Sequence, residues 1–100
     1  MSKSAEILDL YNRYMLSTYS PGLVMVRGRG TKVWDMEGKV YLDFVSGISV
    51  LNVGHCHPKV VDAVQRQVAQ LGHCSNLYVN ENQVWLAEKL TRISKMEKCF

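Results

Sequence analysis

Between Val24 and Val45 three strand-like runs follow one another with only tight turns between them, and that spacing dictates how they can pair. Val24-Met25-Val26 opens the first run, which ends at Arg27-Gly28-Arg29-Gly30, where the glycines predict a hairpin turn. Lys32-Val33-Trp34-Asp35 supplies the return strand, and Asp35-Met36-Glu37-Gly38 carries Asp and Gly at the first and fourth positions that a type I turn favours. In the third run Val40, Leu42 and Phe44 alternate with Tyr41, Asp43 and Val45, so one face is wholly apolar and the other mixed. Connections this short join only antiparallel neighbours. A small three-stranded antiparallel sheet is therefore expected.

The flanking sequence changes period. Ile7, Leu8, Tyr11, Tyr14 and Met15 fall on one face of a helix over residues 5–16, with Ser4 as the expected N-cap and Glu6 suiting the dipole. Pro21-Gly22 ends that pattern. From Ser46 to His57 neither period holds, although Ile48, Val50, Leu51 and Val53 are apolar, so a buried apolar loop is expected there. Pro58 then opens a helix in which Val61, Val64, Val68 and Leu71 recur on one side, with Gly72 as its expected C′ residue. A last helix over 83–94 aligns Leu86, Leu90 and Ile93, capped by Asn80 or Asn82. The fold class expected from these elements is α+β: an N-terminal helix, the sheet, and two further helices.

Composition narrows the function classes. The 100 residues hold 12 Lys+Arg and 9 Asp+Glu, a net charge of +3, with the signs interspersed, so no charge block marks a nucleic-acid arm or a membrane patch. The longest strictly apolar run, Leu23 to Val26, is far short of the ~20 residues that span a bilayer. The start, Met1 to Glu6, lacks the features of an export or transit signal, and the cytoplasm is the expected compartment. Cys56, Cys74 and Cys99 form an odd set and are read as reduced thiols. A chain of this length can bury about two-thirds of its unfolded surface, enough for one core but not for a large cleft.

Several constellations invite a chemical reading. Gly28-Arg29-Gly30 lacks the third glycine and the following helix of a phosphate-binding fingerprint, and a single Arg-Gly-Arg-Gly is thin as an RNA-binding tract. His55, Cys56, His57, His73 and Cys74 offer zinc-type ligands, but neither Cys-x2-Cys nor His-x3-His spacing occurs, and His57 equally suits a cap for the helix begun by Pro58. No metal site is assigned. Asp35, Glu37, Asp43 and Glu81 form no carboxylate cluster, and Cys56 between two histidines is the only nucleophile candidate.

The order of the short motifs adds what no single one carries. Val33-Trp34-Asp35, Gly38, Tyr41-Leu42-Asp43-Phe44, Gly47-Ile48, Gly54-His55-Cys56-His57-Pro58, Ser75-Asn76-Leu77-Tyr78 and Leu86-Ala87-Glu88-Lys89-Leu90 succeed one another over residues 14–100. That succession resembles the amino-terminal region of class III pyridoxal-phosphate aminotransferases, most closely the acetylornithine and ornithine branch. The resemblance implies a fragment of a fold-type I subunit several times longer, with an α/β large domain and a small domain, acting as a homodimer on amino-acid and 2-oxo-acid substrates. Residues 1–45 would belong to the small domain, and 46–100 would lead into the large, cofactor-binding one.

The same resemblance assigns expectations to individual residues. Tyr19 would edge the substrate entrance, where its phenol could bond a carboxylate, although the family's loop is one residue longer than Ser20-Pro21-Gly22-Leu23. Ile48 would lie beside the substrate side chain, favouring a neutral aliphatic or acylated one. Ser75, Asn76 and Tyr78 would lie at the dimer boundary. The imine-forming lysine, the aspartate facing the pyridine nitrogen and the phosphate loop of the cofactor pyridoxal phosphate would all fall beyond this chain, so no catalytic or cofactor-binding residue is assigned and the chain alone is expected to be inactive. The expected parent activity exchanges an amino group between N-acetylornithine and 2-oxoglutarate in arginine synthesis. The alternatives are ornithine, succinylornithine or 4-aminobutyrate aminotransferases, or a standalone module, metal-dependent through His55, His57, His73 and Cys74.

Overall fold

A computed structural model describes residues 2–100, with the elements α1 (Lys3–Tyr14), β1 (Met25–Arg29), β2 (Lys32–Asp35), β3 (Val40–Leu42), α2 (Ser46–Ser49), α3 (Pro58–Val68) and α4 (Glu81–Ser94). The chain divides into two compact units, residues up to 62 and residues 63–100, with the division inside α3.

In the first unit the three strands pair antiparallel in the order β1-β2-β3, as their spacing requires. The first hairpin is tighter than expected. Arg27, Gly28 and Arg29 pair with Trp34, Val33 and Lys32, so they belong to the strand, and the turn is Gly30-Thr31. Gly30 has φ +57°, the positive φ that such two-residue turns demand of their first residue. The second turn forms as read from the sequence: Gly38 N–H donates to the Asp35 carbonyl at 3.0 Å, and Gly38 takes φ +86°.

Register sorts the sheet into two faces. Gly28, Val33 and Tyr41 lie opposite one another, with Asp35 and Asp43 two residues along on the same side; Arg27, Trp34 and Val40 define the other, where the Arg27 guanidinium stacks 4.0 Å from the Trp34 ring. The covered face is the mixed one. Tyr41 and Asp43 are half-buried, whereas Val40, Leu42 and Phe44 are exposed.

Asp35, the one buried residue among those described, holds the second turn together. Its Oδ1 accepts from the amides of Glu37 (3.1 Å) and Lys39 (2.8 Å), and its Oδ2 from the Tyr41 hydroxyl (2.9 Å). From the same turn Glu37 reaches α1, accepting from the amide and the hydroxyl of Ser4. Ser4 is thereby diverted from the capping role expected of it. The N-cap is Ser2, whose hydroxyl accepts from Ala5 N–H.

The segment expected to be a buried apolar loop is instead a left-handed turn. Ser46, Gly47, Ile48 and Ser49 have φ of 48°, 64°, 61° and 62°. Left-handed backbone costs L-residues roughly 1–2 kcal/mol each, and a β-branched residue such as Ile48 is rarely found there. Ile48, Val50 and Val53 point outward, with only Leu51 half-buried.

In α3, His57 acts as the expected cap: its Nδ1 accepts from Lys59 N–H at 3.2 Å, and its carbonyl from Val60 and Val61. The helix ends at Val68, earlier than expected, with a looser turn closed by Leu71 N–H donating to the Gln67 carbonyl. Gly72 is not left-handed. In the second unit α4 starts at Glu81, two residues before the expected position, because Asn80 accepts from Gln83 N–H at 3.0 Å. Asn82 instead donates to Gln67 Oε1.

Among the described residues no hydrophobic side chain is buried, contrary to the expected single core. Val61, Val64, Val68 and Leu71, and likewise Leu86, Leu90 and Ile93, form stripes that this chain leaves uncovered.

Candidate functional site

The left-handed turn is held by a polar network that starts on β3. Asp43 Oδ1 accepts from the amides of both Val45 and Ser46 at 2.8 Å, fixing the entry to the turn. Within it, Ser49 N–H donates to the Val45 carbonyl, and the amides of Val50 and Leu51 donate to that of Ser46. The other carboxylate oxygen, Oδ2, lies 2.5 Å from His55 Nε2. An ionised carboxylate only accepts, so this contact needs the proton on Nε2.

His55 is fixed on the sheet in turn. It exchanges both backbone hydrogen bonds with Gly30, at 2.8 and 2.9 Å, and its ring rests on Gly28, where an added Cβ would come within 2.5 Å of it. Gly54, at φ +85°, brings its backbone against Gly30 closely enough that a Cβ would lie 3.0 Å from the Gly30 carbonyl oxygen. Gly28 and Gly54 thus serve one purpose. They admit the end of the loop onto the sheet.

Electrostatics follow these bonds. The hydrogen bond to His55, with those from Ser46 and Val45, holds the Asp43 carboxyl below its ordinary range despite partial desolvation. At Asp35, desolvation pushes the carboxyl up, but the bonds from Tyr41, Lys39 and Glu37 and the Lys39 charge together outweigh it and leave a net lowering. The Tyr41 phenol is raised, chiefly by donating to Asp35. Glu37 is lowered by its bonds from Ser4.

This is a scaffold rather than a reacting group. His55 is engaged with Asp43 and packed on Gly28, His57 accepts from Lys59 N–H, and among the described residues no hydrogen bond joins either ring to Cys56. Among the described residues no group of three or more His, Cys, Asp or Glu gathers in metal-binding geometry. A hollow of about 710 Å³ beside α3 and the start of α4 is lined by Val64, Val68, Leu71 and glutamines and continues the uncovered apolar stripe.

Of the residues expected at a substrate site, Ile48 sits on the left-handed turn and is 84% exposed, and Tyr19 lies in the exposed segment between α1 and β1. Among the described residues no hydrogen bond or ion pair joins Tyr19 to Ile48. Ser75, Asn76 and Tyr78 are in the second unit, in the segment before α4; Ser75 has φ +57°, and Ser75 and Asn76 line a polar hollow with Asn80 and Gln83. Asp43 and His55 escaped the sequence reading as a pair. They are twelve residues apart, and only the Gly30–His55 bridge brings them together.

Residues 14–100 match the family model for class-III aminotransferases. The chain belongs to that family. This aminotransferase chain is 48% identical over 94 residues to the acetylornithine aminotransferase of Caldanaerobacter subterraneus, an alignment covering 94% of this chain and 22% of that protein. It is 47% identical to that of Methanocaldococcus jannaschii, covering 93% of this chain and 24% of the relative. Among solved structures it resembles acetylornithine aminotransferase from Elizabethkingia anophelis (TM-score 0.88, 34% identity, 98% of this chain and 26% of that one). Ornithine delta-aminotransferase from Plasmodium falciparum matches with TM-score 0.88 at 31% identity, over 97% of this chain and 26% of that one. The chain thus spans about a quarter of the length of the relatives it matches.

The family depends on pyridoxal phosphate. Every lysine among those described is exposed, whereas the imine-forming lysine of such a cofactor needs an enclosed setting. No helix is long and apolar enough to cross a membrane among the described residues.

Proposed function

We propose that this chain is the amino-terminal part of an acetylornithine-type aminotransferase, which moves an amino group between N-acetylornithine and 2-oxoglutarate in arginine synthesis, in the cytoplasm, as a homodimer. In this reading residues 1–45 belong to the small domain and 46–100 lead into the large domain that holds pyridoxal phosphate. The chain contributes substrate-side and subunit-boundary elements. Tyr19 edges the entrance, Ile48 lies against the aliphatic part of the substrate, and Ser75, Asn76 and Tyr78 face the second subunit.

The observation that carries this reading is the identity of 45–51% with relatives whose names include acetylornithine. The outward-facing Ile48 suits a neutral acylated chain better than a charged amine. A standalone metal module gains nothing from the structure, because His55 and His57 are both engaged elsewhere.

The test is to express the full-length gene product and assay amino transfer to 2-oxoglutarate from N-acetylornithine, ornithine, succinylornithine and 4-aminobutyrate. N-acetylornithine is expected to give the highest kcat/KM; preference for another donor overturns the substrate assignment. The 100-residue polypeptide mixed with pyridoxal phosphate should develop no stoichiometric Schiff-base absorbance and no turnover, and either would overturn the division of roles.

A further inference from the structure

We propose that Asp43 and His55 are positioning residues that impose the left-handed turn at Ser46–Ser49 and thereby aim Ile48 at the substrate; the aiming rests on the functional reading above, the imposition does not. Four successive left-handed residues, of which only Gly47 is suited to that backbone, will not hold by local preference. The conformation must be fixed from outside the turn. One carboxylate does so at both ends of the loop: Oδ1 takes the amides of Val45 and Ser46 where the turn begins, and Oδ2 meets His55 where the loop returns to the sheet. The Gly30–His55 backbone pair and the contact of the ring with Gly28 hold His55 against the sheet. Residues 43–55 are thus closed into a ring anchored on the sheet.

Losing the histidine opens that ring. Asp43 then retains only its bonds to the adjacent amides, the turn relaxes toward right-handed or extended backbone, and the Ile48 side chain leaves its direction. A group that binds substrate and transition state alike changes KM more than kcat when it is displaced.

Three variants of the full-length enzyme test this. His55→Leu removes the bond to Asp43. His55→Gln keeps an N–H donor at a similar reach. Gly28→Ala pushes the ring aside by its new Cβ while leaving both partners chemically intact. Hydrogen exchange at the amides of Ser49, Val50 and Leu51 reads the turn directly. His55→Leu and Gly28→Ala are each expected to speed that exchange about ten-fold or more and to raise KM for the amino donor about ten-fold with kcat changed less than about three-fold. His55→Gln should return both to within about two-fold of the parent.

Unchanged exchange in both His55→Leu and Gly28→Ala overturns the proposal whatever the substrate. Faster exchange without a change in KM overturns the aiming of Ile48 and leaves the imposed turn standing. Should one variant fail to fold, the other decides. If the parent enzyme does not use N-acetylornithine, the functional reading fails, and the exchange data still decide whether the pair imposes the turn.

Discussion

Asp35 shows how one side chain can fix a turn that the sequence only outlines. A type I turn needs no more than Asp and Gly at its ends, and those positions were readable at Asp35 and Gly38. That the same carboxylate also accepts from Lys39 N–H and the Tyr41 hydroxyl depends on β3 lying alongside. Because the folded carboxyl is held below its unfolded value, the stability it contributes is complete above the unfolded pKa and is lost as pH falls through the folded one. The urea midpoint of the full-length protein should therefore drop as pH is lowered below about 4. Asp35→Asn should start lower and show a shallower acid decline, and an unchanged decline would remove Asp35 from that account. Ser4 teaches the converse. Its type and place suit an N-cap, yet Glu37, 33 residues away, recruits it, and Ser2 caps instead.

At the scale of elements, the helices announced themselves by period and their ends did not. The start of α4 is set by Asn80, whose side chain accepts from Gln83 N–H, whereas Asn82 is drawn off to Gln67. Asn80→Ala should destabilise the helix by about 1 kcal/mol and Asn82→Ala by less, read as shifts in the denaturant midpoint of the full-length protein. The reverse order would reassign the cap. The left-handed turn at Ser46–Ser49 could not be read locally. Its residues have neither helical nor strand period, and only Gly47 hints at positive φ. What signal existed lay in Asp43, Gly54 and His55 as separate letters, and nothing in their spacing says that they meet.

For the molecule as a whole, the decisive observation is a sheet and helices without a buried hydrophobic side chain among the described residues. Ordering about a hundred residues costs on the order of 100 kcal/mol or more in conformational entropy, and turn and ladder hydrogen bonds alone do not offset it. The isolated polypeptide should accordingly bind hydrophobic dyes, associate on size exclusion and melt without a cooperative transition; a sharp two-state melt of a monomer would contradict this. The apolar stripes of α3 and α4 and the Val40, Leu42, Phe44 face of the sheet are the surfaces that account for it. The sequence by itself determined which segments are strands and helices, and that the strands pair antiparallel, since period and turn length are local properties of the chain. Its ordered motifs also pointed to the aminotransferase family. Tertiary structure alone decided which face of the sheet is covered, because strict alternation describes both faces and names neither as inside. It decided the hand of the turn at Ile48 as well, because a backbone state that is unfavourable residue by residue persists only where bonds from distant parts of the chain hold it.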